Sequence, residues 1–583
     1  MSAEREYHGL GVAPGVAIGV AYVRETGGLE VPERKLRKME VPDEELRLEK
    51  AVELARRQIR RLQNRTGNLP GTASEELGFL LDAYQQMLGD SRLVRGAKAR
   101  IVDERVNAEA AVQHEIASIA ETFQAMDDAY IAARFDDIRE VGNRIIRNLT
   151  RKPLRAFSTA PKGSLVITDQ LTPADMAQID PALIAGAASS LGGAEGHTAI
   201  MARALGLPTV LGAPDLMTQI HPGDAVIIDG TVGRVILTPS EKTLRAYQQR
   251  RDKLRRESRR LSRLRNLPAR SRDGSNFVLH ANVDLPMEMP IVAQAGAEGI
   301  GLLRSEFLYM NRETLPTEDE QYAIFRDMVE AMQGLPVTIR SLDVGADKPA
   351  DVVTSAFGTT ESTALGLRGI RLALIESDIL ETQFRAMLRA ASHGPVRILL
   401  PMVSNTSEVM KARELLQKAA KRLKRRKIAV PDSLPPLGIM IEVPGAALAA
   451  DALARDSDFF AIGSNDLTMY TLATDRANEH VAHLFNPLHP AVLRLIQFAT
   501  SAALRARIPI SICGEMAGEP RYAALLVGLG LRELSMSPAS IPRVKQRIRE
   551  MDALAAATRA NLIMDQTDSG RIATLLDDFN ALA

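Results

Sequence analysis

The chain has 583 residues, several times an ordinary domain, so two to four domains are expected, each able to bury its own core. Its 73 Lys and Arg balance 72 Asp and Glu for a net charge of +1, which excludes a global electrostatic pull toward nucleic acid or an anionic membrane. A lone cysteine excludes an intramolecular disulfide, the opening MSAEREYHGL lacks a basic-then-apolar leader, and no apolar run approaches the roughly 20 residues of a membrane-spanning helix. These features predict a cytoplasmic protein that neither inserts into membranes nor takes a nucleic-acid partner.

Residues 8–24, HGLGVAPGVAIGVAYVR, are short β-prone runs punctuated by Gly and Pro. From Asp43 to Leu149 the chain turns rich in Glu, Arg, Ala and Leu. Helical spacing in LGFLLDAYQQML and AAVQHEIASIAETF predicts a bundle of several helices there. At Gly163 β-type runs return, SLVITD, ALIAGAAS and DAVIIDGTVGRVIL, around a helix-compatible IMARALG, as in a compact mixed α/β domain. The two β-bearing pieces read as one domain interrupted by the helices. Residues 241–265 are strongly basic with sparse apolar positions, which predicts a solvated connecting helix; the alternative use of its charge is docking an acidic partner.

Beyond the turn at Arg272, Asp273 and Gly274, seven short strand-like runs alternate with helical stretches: NFVLHANV, GIGLL, VTIRSLDV, VRILLPMV, LGIMIEV, FFAIGSND and IPISICGE. No Gly-rich nucleotide turn follows the first of them, so a (β/α)8 barrel is expected rather than a doubly wound sheet. Polar side chains sit where these strands end, at the mouth where barrels carry chemistry. They are Arg304, Arg340, Glu442, Asn465 with Asp466, and Cys513, with Arg368 and Arg476 in following segments. Singly, a strand-end Arg is ordinarily a surface ion pair and a Glu a cap. Together, guanidinium forks and two carboxylates suit a small anion bearing phosphate and carboxylate, with a hard cation such as Mg2+ between them. A single Cys is ordinarily a small buried hydrophobe, yet Cys513 leaves a strand beside a Gly turn, where a protonated thiol can act as an acid.

The segment LGGAEGHTAIMARALGLPTVLG sets His197 after Gly192, Gly193 and Gly196 and ahead of an amphipathic helix. Neutral imidazole accepts phosphate, and a helix start favours the anion that results. With GIGLLRSEFLYM, IRSLDVGADKP, GIMIEVPGAA, FFAIGSNDLTMYTLATDR and ISICGEMAG, this segment closely resembles the motifs of Enzyme I of the bacterial phosphoenolpyruvate-dependent phosphotransferase system, over essentially the whole chain. The resemblance implies an α/β multidomain protein with a swivelling phosphohistidine domain (1–30 and 150–240), an inserted helical subdomain that docks the phosphocarrier HPr (31–149), a linker helix (241–270), and a (β/α)8 barrel that binds phosphoenolpyruvate and dimerises (271–583). It further implies phosphorylation of His197, substrate contacts from Arg304, Arg340, Arg368, Asn465, Asp466 and Arg476, Mg2+ on Glu442 and Asp466, and protonation of the enolate by Cys513.

Two positions depart from the family pattern: Gly196 stands where Ser commonly precedes the histidine, and Tyr84 where members often carry His. His480, His483 and His489 read as structural or pocket residues, because no separate carboxylate cluster accompanies them. A pyruvate phosphate dikinase or phosphoenolpyruvate synthase would need a nucleotide-binding domain for which the chain has no room. A silent scaffold on this fold would not need the complete set of reactive residues.

Overall fold

The computed structural model describes residues 4–24, 31, 33–66, 81–82, 84–89, 91–124, 129–150, 157–176, 178–193, 197–284, 286–309, 314–344, 365–474 and 480–581. Two compact units divide at Glu257 and Ser258, within the helix Glu241–Ser262.

In the first unit one eight-stranded mixed sheet draws on both ends of the segment. Strands β1 (Arg5–His8), β2 (Leu10–Ala13) and β3 (Val16–Arg24) join β4 (Ser164–Gln170), β5 (Ile184–Leu191), β6 (Thr209–Leu211), β7 (Ala225–Asp229) and β8 (Arg234–Leu237) in the order β1-β8-β7-β3-β4-β5-β6-β2. The central pairs β3–β4, β4–β5 and β5–β6 are parallel, and their apolar runs, such as Leu165, Val166 and Ile167, are fully buried, as expected of strands covered on both faces. Between β3 and β4 lie the helices Val41–Thr66, Arg92–Asp103, Ala108–Gln124 and Ala129–Thr150. Leu48, Ala51, Val52, Ala55, Ile59 and Leu62 recur at helical spacing and form one buried stripe on the first of these.

In the second unit eight parallel strands close on themselves: β10 (Asn276–Val283), β11 (Ile300–Leu303), β12 (Val337–Arg340), β13 (Val396–Leu400), β14 (Leu437–Ile441), β15 (Phe460–Ile462), β16 (Ile510–Ile512) and β17 (Glu533–Met536). Closure comes from β10 pairing with both β11 and β17, while β9 (Ala269–Arg270) adds an antiparallel edge to β10. β17 is absent from the seven runs read from the sequence; ELSM is short and begins on Glu533, whose carboxylate pairs with Arg397 of β13 at 3.2 Å. Two apolar layers hold the barrel: one between strands and surrounding helices, and a smaller inner layer of Leu302, Leu399, Met440, Phe459, Ala461 and Cys513. Because the strands are parallel, the residues that follow each one gather at a single mouth.

Candidate active site at the barrel mouth

Arg340 ends β12 and is buried beneath the mouth. Its Nη2 donates to Glu306 Oε1 at 2.6 Å and its Nη1 lies 3.4 Å from Asp343 Oδ2. Burial opposes its charge, but Glu306, Asp343, Glu442 and Asp466 outweigh that effect and hold it protonated well above the ordinary arginine range. Arg368 caps the helix Gly369–Ile375 and is fully buried; its fork grips Asp343, Nε to Oδ1 at 3.2 Å and Nη2 to Oδ2 at 3.0 Å, while Nη1 donates to Tyr470 Oη at 3.3 Å. Its guanidinium is thus held in place by an internal carboxylate and a tyrosine hydroxyl.

Asp343, Glu442 and Asp466 bring one oxygen each to within 4.8 Å of one another. Sequence reasoning identified two of these and missed Asp343, although it lies in the quoted IRSLDVG segment three residues after Arg340. Glu442 follows β14, where Oε1 accepts the Met402 amide at 2.6 Å and Oε2 is buried without a hydrogen bond. Burial first, then the like charges of Asp466 and Asp343, push its carboxyl up to about 8, against the pull of Arg340 and the Met402 amide. A buried, unbonded carboxylate oxygen among three acids is the donor set a hard divalent cation accepts, so the residues fit magnesium.

Close backbone approach is needed here. A Cβ on Gly463 would fall 2.8 Å from Glu442 Oε2, and one on Gly514 would fall 1.9 Å from Ser464 Oγ. Gly463 leads from β15 into the helix Ser464–Leu472, which carries Asn465 and Asp466. Asn465 is locked by reciprocal bonds, Nδ2 to Glu515 Oε1 at 3.1 Å and Oδ1 from the Glu515 amide at 3.0 Å.

Arg304, directly after β11, keeps its fork half-exposed, with Nη1 3.2 Å from both oxygens of Asp284. It shares a cavity of about 420 Å³ with Asn282, Asn465 and Cys513. Cys513 follows β16, is buried, and donates its thiol weakly to the Ile462 carbonyl at 3.5 Å. Burial pushes the thiol up to about 12, so it keeps its proton throughout the neutral range. The acid expected from an ordinary thiol is in this setting a far more firmly protonated one.

Arg476 and Gly196 lie outside the described residues. His197 opens the helix His197–Ala204 in the first unit, and Thr198 Oγ1 ties that helix to the Leu171 carbonyl at 2.9 Å. Tyr84 is buried and donates to Glu140 Oε2 at 2.9 Å. His489 caps the helix Pro490–Ala506 by accepting the Ala491 amide at 3.2 Å, a structural use.

Comparison with known proteins gives this site its class. Residues 258–553 match the family model "PEP-utilising enzyme, PEP-binding domain", residues 160–233 the "mobile domain" and residues 8–134 the "N-terminal" model of the same enzymes. Proteins named phosphoenolpyruvate-protein phosphotransferase from Cupriavidus necator and Geobacillus stearothermophilus are 42% and 37% identical over 93% and 95% of this chain and 93% and 94% of their own. The chain belongs to the phosphoenolpyruvate-protein phosphotransferase family, a family of phosphotransferase enzymes. Among solved structures, an Enzyme I protein determined by NMR is similar at 32% identity, covering 43% of this chain and 99% of that one with a TM-score of 0.37; the fold rests on the strand registers above rather than on that match.

Proposed function

We propose that this enzyme takes phosphate from phosphoenolpyruvate onto its own His197 and passes it to a histidine of an HPr-type carrier, releasing pyruvate as the first step of sugar phosphotransferase transport. The observation that carries the reading is the meeting of Asp343, Glu442 and Asp466 beside the buried guanidinium of Arg340, at the barrel mouth that also holds a cavity lined by Arg304, Asn465 and Cys513. Arginine forks and a hard-cation donor set at one barrel mouth suit a substrate with a phosphate and a carboxylate on adjacent groups.

Arg304, Arg340, Arg368, Asn465, Asp466 and Arg476 bind and orient that substrate, and Arg368 also holds Asp343. Glu442, Asp466 and Asp343 hold Mg2+, which when bound supplies neutralisation of the charge on the transferring phosphate. A neutral ring nitrogen of His197 attacks phosphorus. The P–O bond to the substrate breaks, and its electron pair stays on the enolate oxygen. The enolate carbon then takes the Cys513 thiol proton, which leaves a thiolate that water reprotonates. His197 belongs to one unit and the barrel to the other, so phosphate travels with a moving histidine domain toward a carrier docked on the helical insertion. No described helix is long and apolar enough to cross a membrane. We place the enzyme in the cytoplasm, as a homodimer through its barrel.

Incubation with labelled phosphoenolpyruvate and Mg2+ tests the reading. Acid-labile label is expected on His197 and on added carrier, with none from ATP. Label retained in His197→Ala, or transfer from ATP alone, overturns it.

A further inference from the structure

The pairing of β10 with β11 shifts register between Ala281 and Asn282, an irregularity of the kind that re-aims a side chain. Asn282 lines the mouth cavity together with Arg304, Asn465 and Cys513. Both ends of its amide are in use. Nδ2 donates to the backbone carbonyl of Cys513 at 2.9 Å, and Oδ1 accepts Ser535 Oγ at 2.6 Å. A backbone carbonyl can only accept, so the amide has one orientation, and the fully buried Ser535 on β17 holds its other end. One side chain thus bridges β17, β10 and the exit of β16.

The thiol itself is weakly restrained, its sulfur 3.5 Å from the Ile462 carbonyl. The peptide carbonyl of the same residue is held much more firmly, by Asn282. The backbone from which the thiol hangs is therefore held at both ends, its amide by the Ile462 carbonyl at 3.0 Å and its carbonyl by the Asn282 side chain.

We propose that Asn282 is the positioning residue for proton delivery by Cys513, clamping the Cys513 carbonyl against Ser535 so that the thiol faces the cavity at a fixed angle. The proposal rests on the reading of Cys513 as proton donor. In that step the S–H bond breaks as a C–H bond forms from the π pair of the enolate; the sulfur keeps the S–H pair as thiolate and later takes a proton from water. Asn282 touches none of these atoms and acts through geometry, to which proton transfer is sensitive.

The test uses the full chain with Asn282→Ala, Asn282→Asp and Cys513→Ala, following pyruvate formation (kcat and KM separately) and phosphate exchange with phosphorylated carrier. Asn282→Ala is expected to lower kcat by about 10- to 100-fold with KM within about threefold and carrier exchange unchanged. Asn282→Asp carries the sharper signal: its ionised carboxyl cannot donate to the Cys513 carbonyl, whereas its protonated form can. An ordinary aspartate carboxyl, at about 3.9, stays ionised across the assay range, so kcat is expected to fall at least as far as in Asn282→Ala, again with KM and carrier exchange little changed. Unchanged kcat in Asn282→Ala, a rise in KM alone, loss of carrier exchange, or wild-type kcat in Asn282→Asp each overturns the proposal. Cys513→Ala separates the two levels. If it retains pyruvate formation, the proton-donor reading fails; if it loses pyruvate formation while Asn282→Ala does not, only the positioning role fails.

Discussion

Glu442 gives one carboxylate oxygen to the Met402 amide at 2.6 Å and leaves the other buried and unbonded beside Gly463. Met402 makes this bond from a left-handed backbone with φ of +56°, an uncommon conformation for a side chain of its kind. The carboxylate is thus oriented from one side by a constrained amide, and the absence of a Cβ on Gly463 leaves space on the other.

Gly463→Ala is accordingly expected to weaken Mg2+ binding by about 10- to 100-fold, the size of effect seen when the support of a ligand is disturbed. Its new Cβ would fall 2.8 Å from Glu442 Oε2 and 3.1 Å from Met440 Sδ, so the carboxylate must move. Titration calorimetry with Mg2+ measures this directly, with Glu442→Gln as the reference for loss of the ligand charge. Wild-type affinity in Gly463→Ala would show that the carboxylate has room to spare and that the proposed ligand geometry is wrong.

Asp343 ties metal site and arginines together, and removing it leaves two guanidinium groups short of a partner. Arg368 is fully buried with its fork on this carboxylate, so Asp343→Ala takes away the opposite charge of a buried pair at a cost of about 3 to 5 kcal/mol. The double variant Asp343→Ala with Arg368→Leu removes both charges, and about half or more of that loss is expected to return. Denaturant unfolding of the wild type, each single variant and the double variant measures the coupling. Purely additive effects would mean that the pair has no energetic link.

Residues at strand exits were readable from sequence because a parallel barrel converts a local pattern, an apolar run ending on a reactive side chain, into a shared location. Arg304, Arg340, Glu442 and Cys513 follow that pattern. Asp343 does not, since it lies in a loop past the strand end and gains meaning only when Arg368 and Glu442 arrive from distant segments. The same holds for Glu306, whose importance is a 2.6 Å ion pair with Arg340 of the neighbouring strand. Asn282 stood one residue before the end of a quoted run but carried no charge to mark it. Arg368 was legible as a mouth residue, yet its burial against Asp343 is a packing outcome that spacing does not encode. The short strand β17 was missed because half of its four residues, Glu533 and Ser535, are polar and serve partners on other strands.

His280 predicts an acid-sensitive barrel. It is buried on β10, and burial first, with the nearby charge of Arg397 second, lowers its imidazole to about 4 from an ordinary 6.5. The folded state therefore binds this proton less readily than the unfolded chain. Its contribution is intact above about pH 6.5 and is lost as pH falls from there toward about 4, up to roughly 3 kcal/mol. Denaturant unfolding at pH 7.5 and pH 5 should show this loss in the wild type and a smaller one in His280→Gln. Equal pH dependence in both would remove the assignment.

Cys513 is the only thiol in the chain, so its protonation can be followed by alkylation without ambiguity. An ordinary cysteine near 8.5 reacts faster with rising pH and levels off as the thiolate becomes the main form. Here burial raises the thiol to about 12, with the charges of Glu442 and Asp466 adding to that and those of Arg340 and Arg304 opposing it. Iodoacetamide labelling of the native enzyme should therefore still rise about tenfold per pH unit between pH 8 and 10, where an unperturbed thiol flattens. The same shift bears on its proposed role: an acid must hold its proton at working pH, and one that releases it only near 12 does so across the neutral range. Pyruvate formation should consequently show no loss from ionisation of Cys513 between pH 6 and 9, while Cys513→Ala should lose pyruvate formation by about 100-fold or more and keep phosphate exchange with the carrier. Mass-shift measurement of labelling against pH, run beside both half-reactions, checks each part. A labelling plateau near pH 9 would place the thiol at its ordinary value and remove the effect of burial on it.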